Sequence, residues 1–335
     1  MNRNMNRALI GLSLAVALLL PFTLASGYHL RLANLVGIYL LLVLGLNFVL
    51  GYTGLLSFAQ VGFFAIGAYT SAILTTDYGF GFWVGLCAAA GAAGLASVII
   101  GEPVLKLRGH YFVFATFVLG EIARLVAMNW DDVTHGASGL SGIPAPTIGG
   151  FSFDTDLSFY YIVLAFVLAG IFVSARIEKS KIGRALFAIR ESEIAAEAMG
   201  IRTRQAKQLA FTLSAVFAGV AGALYGPLNT VISPDVFSFD VSVIVLVSLL
   251  LGGTGTIPGA IIGTILITLL PEWLRFLNEY YMMIYGAGIV LLMGFLPKGM
   301  MGVLENIRLG KAKKRARPRL DPPGETRRTD RQPGA

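Results

Sequence analysis

The sequence predicts an all-α membrane protein, a polytopic bundle of about ten spanning helices with glycine-rich breaks. Hydrophobic residues fill 56% of the 335 positions and charged residues only 13%, whereas about a quarter of a typical soluble domain is charged. The apolar residues form long runs without the alternation of a barrel strand. Because only helices and closed barrels satisfy their backbone groups in lipid, these runs are predicted to be helices.

Ten apolar runs are candidate spans. They cover residues 8–26, 32–50, 58–75, 80–101, 110–128, 158–175, 209–226, 241–251, 257–271 and 280–296. The apolar stretch of the first run, Ala8–Ala25, is longer than the ~7–15 residues of a signal-peptide core, so we interpret it as a retained helix.

Lysine and arginine predict the orientation. The segments placed inside are 1–7, 51–57, 102–109, 176–208, 252–256 and 297–335, and they hold 23 of the 26 basic residues. This asymmetry predicts that the chain is a multi-pass membrane protein with both termini cytoplasmic. It also explains the net charge of +7 without nucleic-acid binding.

This topology divides the chain into two regions. A transmembrane domain covers 1–300 and contains the cytoplasmic segment 176–208. The tail 301–335 is basic and rich in proline, so we expect it to be disordered near the anionic inner leaflet.

Motifs of enzymes and metal sites are missing from the sequence. It has no P-loop, no HExxH pattern, no cysteine cluster and no Gly-x-Ser-x-Gly elbow. We therefore predict a chain that is not an enzyme and holds no metal or cofactor of its own.

The stretch GYTGLLSFAQVGFFAIGAYT, residues 51–70, is unusual for a membrane segment. Gly54, Gly62 and Gly67 either let helices approach closely or expose backbone to a substrate path. Ser57 and Gln60 need polar partners, so we expect them to face other helices or a polar cavity.

A second glycine cluster contains Gly252, Gly253 and Gly255, between the short runs 241–251 and 257–271. Neither run spans about 30 Å by itself. Short, interrupted segments can mark a substrate path, or the cluster can be a tight turn between tilted helices. Spacing does not decide between these two interpretations.

Glu121 and Arg124 are charged residues inside a predicted span. Their spacing puts them on one helix face near mid-membrane. They are candidates for the path, or they form a structural ion pair.

The cytoplasmic segment contains a predicted helix from Arg184 to Met199, which Gly200 ends. One face is small and apolar, with Ala185, Ala188, Ile189, Ser192, Ala196 and Met199. The other face carries Arg190, Glu191, Glu193 and Glu197. A lipid-surface helix prefers lysine, arginine and bulky apolar residues, so this composition favours docking onto another protein.

Several stretches together resemble a known family. They are GLNFVLGYTGLLSFAQVGFFAIGAYTSAIL (45–74), RGHYFVFATFVLGEIARLV (108–126), THGASGLSGIP (134–144), GRALFAIRESEIAAEAMGI (183–201), KQLAFTLSAVFAGVAGALYG (207–226) and LGGTGTIPGAIIG (251–263). In this order they closely resemble the LivM branch of the branched-chain amino acid ABC transporter permeases.

The resemblance implies an importer subunit in a bacterial inner membrane, for leucine, isoleucine, valine or related small solutes. Its implied partners are a similar LivH-like permease subunit, two cytoplasmic ATPase subunits that use ATP and Mg, and a periplasmic binding protein. It also implies that 184–200 is a coupling helix, where Ile194-Ala195-Ala196 and Gly200 correspond to a Glu-Ala-Ala…Gly pattern. The candidate ATPase contacts are Arg190, Glu191, Glu193, Ala195, Ala196, Glu197 and Gly200.

Two other functions are compatible with the residues alone. Glu121 could serve a proton- or ion-coupled secondary transporter, and the glycine breaks could form a channel filter. Neither function requires a cytoplasmic docking helix, so the segment 184–200 favours the ATP-driven importer.

Overall fold

A computed structural model describes residues 27–274, together with Pro21 and Gly286. The helices are α1 (Gly27–Leu46), α2 (Gln60–Thr76), α3 (Phe82–Val104), α4 (His110–Asn129), α5 (Asp131–Thr134), α6 (Asp156–Glu178), α7 (Lys181–Glu191), α8 (Glu193–Ala198), α9 (Thr203–Asn229), α10 (Phe239–Gly252) and α11 (Ile257–Leu274). A π-helix, Asn47–Gly51, extends α1. Short 3₁₀ turns cover Gly136–Ser138 and Pro234–Phe237.

Five described helices are long and apolar enough to cross a membrane. They are Gly27–Gly51, Phe82–Val104, His110–Asn129, Asp156–Glu178 and Thr203–Asn229. The predicted all-α class is confirmed, and eight of the ten predicted spans fall on described helices. The runs 8–26 and 280–296 lie outside the described residues, Pro21 and Gly286 aside, so the number of ten stays a prediction, as does the disordered tail.

Small residues bring the central helices together. Gly67 on α2 meets the backbone of Gly219 on α9, and Gly222 meets the carbonyl of Phe64. A methyl group at any of these glycines would overlap backbone atoms. Because lipid tails are as apolar as leucine, such close van der Waals packing is what holds membrane helices together.

The connecting segments gather at two ends of the bundle. At one end, Arg204 pairs with Glu102 at 2.6 Å, which joins the start of α9 to the end of α3. At the other end, the β-strands Leu140–Ser141 and Val231–Ile232 pair antiparallel. A second antiparallel pair there joins Thr147–Ile148 to Phe151–Ser152. The predicted division of the loops into two groups is thus present, while the side that faces the cytoplasm stays a prediction.

The single helix expected from Arg184 to Met199 is wrong in detail. Ser192 has an extended backbone (φ −162°, ψ 113°), and it separates α7 from α8. Its hydroxyl accepts the N–H of Ala195, so it caps the N-terminus of α8. The helical phase restarts there, and the face extrapolated from α7 does not continue along α8.

Candidate functional site

The first glycine break begins where α1 ends. Gly54 has a left-handed backbone (φ +76°), which glycine adopts without strain. The N–H of Gly54 bonds to the carbonyl of Leu50, and that of Leu55 bonds to the carbonyl of Val49. These bonds close the helix end and turn the chain out of the helix.

Residues 54–59 then run without helical structure before α2 starts at Gln60. Phe58 lies at the centre of this unwound segment. Its N–H donates to the hydroxyl of Thr116 at 3.1 Å, and its carbonyl accepts from the hydroxyl of Ser242 at 3.1 Å. Thr116 is six residues into α4, or ~9 Å from its start, so the unwound segment contacts α4 inside a candidate membrane span.

The unwound segment is only partly covered. Leu55, Leu56 and Phe58 are partly exposed. Within the described part of the chain, the backbone N–H groups of Leu56 and Ser57 have no hydrogen-bond acceptor. Non-helical backbone at membrane depth occurs only where protein buries it or where it faces a water-filled cavity. This face of the chain is therefore unsuited to lipid.

The second glycine break is a tight turn. Gly253 (φ 122°) ends α10, Gly255 (φ 83°) follows, and α11 starts at Ile257. The N–H of Gly255 donates to the side-chain carbonyl of Asn47 at 2.8 Å, which fastens this turn to the end of α1. Of the two interpretations left open by the sequence, the described geometry supports the turn between paired helices.

Arg190 connects both breaks to the cytoplasmic segment. Its Nη1 donates to the Gly51 carbonyl at 2.5 Å, and its Nη2 donates to the Thr254 hydroxyl at 3.4 Å. One helix turn before it, the ring of Phe187 packs on Tyr52 with centroids 4.8 Å apart. Sequence reasoning placed Arg190 on a face turned toward an ATPase, whereas its side chain, which is exposed, bonds back to its own membrane domain.

Four of the predicted path-or-packing residues serve packing. Gln60 is buried and cross-links three helices: its Nε2 donates to the Leu42 carbonyl at 2.8 Å, and its Oε1 accepts from Ser214 at 2.7 Å. The other three are glycines in close helix contacts. Gly62 packs on α4, Gly67 on α9 and Gly252 on α11.

Ser57 has a local structural role. It is buried, and its hydroxyl accepts the N–H of Ala59 at 3.3 Å, just before α2 begins. Ser57 and Gln60 thus both have partners inside the protein, as expected, and neither side chain is directed at lipid.

Glu121 and Arg124 form the ion pair expected from their spacing. Arg124 Nε lies 3.1 Å from Glu121 Oε2. Arg124 also approaches Asp235 at 3.7 Å, in the connection between α9 and α10. The pair is partly exposed on α4 and is tied to the end of the bundle opposite the cytoplasmic segment.

The structure places the predicted ATPase contacts on α8 in different surroundings. Ala196 is only 3% exposed, so it packs on its own chain, whereas Met199 is 83% exposed. Glu193 pairs with Lys207 at 2.5 Å, and Glu197 accepts from Thr203 at 2.7 Å, so both carboxylates bind the start of α9. These residues hold the segment in place.

The outward surface of the segment also includes side chains without these bonds to α9. Ile194, which stands where the family pattern has an acid, is 83% exposed. Glu191, Ala195 and Gly200 are exposed beside it. The signal that could have identified this surface is Ser192, because serine before a glutamate is a common helix start. We name Glu191, Ile194, Ala195 and Met199 the docking surface.

Comparisons with known proteins agree with this geometry. A family model described as branched-chain amino acid transport system, permease component, matches residues 28–293. The LivM permease protein of the Escherichia coli K12 high-affinity branched-chain amino acid transport system is 39% identical over 311 residues, covering 86% of this chain and 73% of that protein. No solved structure matches the chain significantly.

More distant relatives are also permease proteins. LivH of E. coli K12 is 25% identical over 288 residues, and BraD of Pseudomonas aeruginosa is 25% identical over 284 residues, each covering 79% of this chain and 91% of the relative. The resemblance to the LivM branch is confirmed, and these relatives are transport permeases, not enzymes. The chain belongs to the family of permease components of branched-chain amino acid transport systems.

Proposed function

We propose that this chain is one permease subunit of an ATP-driven importer for branched-chain or related amino acids in a bacterial inner membrane. A second, LivH-like permease pairs with it, two cytoplasmic ATPase subunits use ATP and Mg, and a periplasmic protein delivers the substrate. Both termini of this chain lie in the cytoplasm. The single observation that carries the proposal is the attachment of the cytoplasmic segment to both glycine breaks through Arg190.

The substrate path runs along the unwound segment. Leu55, Leu56 and Phe58 are partly exposed there, on backbone that lipid cannot satisfy. The ring of Phe239 on α10 continues this surface, 5.2 Å from the ring of Phe58. An apolar surface with backbone polar groups suits a small amino acid with an aliphatic side chain, and the second permease closes the path opposite.

The docking surface receives an ATPase subunit. Two exposed apolar side chains, Ile194 and Met199, stand at the end of the bundle that carries Arg204 and Lys207. Isolated apolar side chains on a short, anchored helix make a compact contact that can transmit movement. The carboxylate of Glu191 lies beside them and has no ion-pair partner in the described part of the chain.

The proposal is tested by reconstituting the complete complex in liposomes and measuring ATP-dependent uptake of leucine. Ile194→Asp should detach the ATPase subunits and abolish uptake while the chain stays folded, because an unpaired carboxylate in a desolvated contact costs about 1–3 kcal/mol or more. Ile194→Leu is the matched control and should retain uptake. Ala196→Asp is a poorer probe, since Ala196 is buried in its own chain.

The alternative, a secondary transporter that uses Glu121, predicts the opposite results. Glu121→Gln would abolish transport, and Ile194→Asp would leave it intact. We expect Glu121→Gln to retain most ATP-driven uptake, because Glu121 is paired with Arg124. Uptake by this chain without ATPase subunits, driven by a pH gradient, would overturn the proposal.

A further inference from the structure

The guanidinium of Arg190 lies between the C-terminal ends of two membrane helices. One is the π-helical end of α1, whose Gly51 carbonyl accepts from Nη1, and the other is α10, which ends at Gly252 just before Thr254. The last carbonyls of a helix have no partner within the helix and carry partial negative charge. One cation thus lies beside two helix ends, bonded to a backbone carbonyl at the first and to a side-chain hydroxyl just past the second.

The space around this guanidinium is made by glycine. A methyl group at Gly255 would come within 2.7 Å of Arg190 Nη1, and one at Gly54 would lie 3.4 Å from Arg190 Cγ. Gly255 is itself bonded to Asn47, four residues before Gly51. The two breaks and the arginine therefore form one connected unit.

Arginine suits this position better than other basic residues. Its planar guanidinium presents donors in a fixed fork, so it holds two acceptors in a defined relation, whereas lysine offers a compact point charge. Arg184 on the same helix makes no such contact within the described residues, where its Nη1 bonds to the carbonyl of Lys179 at 3.3 Å. Arg184 is therefore a matched control position for Arg190.

We propose that Arg190 is the positioning residue that transmits movement of the docking surface to both glycine breaks. Displacement of α7 by an ATPase moves the Gly51 carbonyl and Thr254 at the same time. The start of the unwound segment and the turn between α10 and α11 therefore shift as one unit. This inference rests on the proposed function. It assigns the coupling to an inward contact within this chain rather than to a contact with the ATPase.

The test compares Arg190→Gln, Arg190→Lys and Arg184→Gln in the complete reconstituted complex. The measurements are co-purification of the ATPase subunits, ATP hydrolysis and leucine uptake per ATP hydrolysed. For Arg190→Gln we expect intact assembly, hydrolysis within about twofold of the unsubstituted complex and uptake per ATP lower by at least about tenfold, because both charged hydrogen bonds are lost. Arg190→Lys should retain part of the uptake per ATP hydrolysed, and Arg184→Gln should retain all of it.

Different outcomes separate the possible failures. Unchanged uptake per ATP in Arg190→Gln would overturn the inference, and so would loss of the ATPase subunits, which would make Arg190 a docking contact. If Arg190→Gln does not fold, Thr254→Val removes only the weaker contact: lower uptake per ATP supports the inference, and unchanged uptake overturns it. Absence of ATP-dependent uptake in the unsubstituted complex would instead contradict the proposed function.

Discussion

Both glycine breaks are bonded to Arg190, but the chain that follows each break has a different conformation. Each ends a membrane helix with a glycine of positive φ, Gly54 in the first and Gly253 in the second, and Arg190 bonds to both breaks, at Gly51 and at Thr254. After Gly54 the chain stays unwound as far as residue 59. After Gly253 a new helix starts within four residues, at Ile257.

This difference shows that glycine content does not identify a path. In the second break the backbone lies close to α1, and α10 and α11 pack on each other. Its backbone therefore needs no water as a hydrogen-bonding partner. The first break leaves partly exposed backbone at membrane depth, and its Phe58 depends on hydroxyl groups of two other helices. Of the two breaks, the first rather than the second has the properties expected of a path surface.

The largest contrast is expected from the same substitution in the two clusters. In Gly252→Ala the new methyl group overlaps the carbonyl of Gly259, so α10 and α11 cannot pack, and overpacking costs about 1–3 kcal/mol or more. In Gly54→Ala the methyl group has space, and only a positive φ is strained, at roughly 1–2 kcal/mol.

The thermal midpoint of the complex in detergent measures this contrast. We expect little or no folded Gly252→Ala protein, and a folded Gly54→Ala protein with a modestly lower midpoint and reduced uptake. Equal losses of folded protein in the two variants would contradict the division into a packing glycine and a conformational glycine.

A smaller contrast is expected from two serines of α10. Ser242→Ala leaves the part-buried Phe58 carbonyl of the unwound segment without its partner, which costs up to about 1–3 kcal/mol, the penalty of a fully buried group. Ser248→Ala removes a bond to the carbonyl of Ile244 in the same helix, so it should be nearly neutral. Uptake and the thermal midpoint should fall in Ser242→Ala only. An equal loss in Ser248→Ala would show that the bond to Phe58 matters no more than an ordinary bond within a helix.

The apolar runs predicted the helices well, because a helix that crosses lipid must consist mostly of apolar residues. The runs 110–128 and 158–175 correspond to His110–Asn129 and Asp156–Glu178. Charge spacing also predicted the pair of Glu121 and Arg124, since residues three apart meet on any helix.

Long-range polar contacts could not be read from the sequence. The need of Gln60 for partners was evident, but one of them, Ser214, is 154 positions away. The inward direction of Arg190 depends on Gly51 and Thr254, 139 and 64 positions away. On α8 the error was local, because a helical phase was extended through the capping residue Ser192.

The central claim is that the first break faces a water-filled path and the second does not. Single cysteines at Leu56, beside the first break, and at Ile262, on the exposed side of the helix after the second, test it in a Cys87→Ser background. A water-soluble thiol reagent is applied to the complete complex in sealed vesicles during ATP-driven transport. We expect Leu56→Cys to react at a rate that substrate changes, and Ile262→Cys not to react. Reaction at Ile262→Cys with none at Leu56→Cys would contradict the claim.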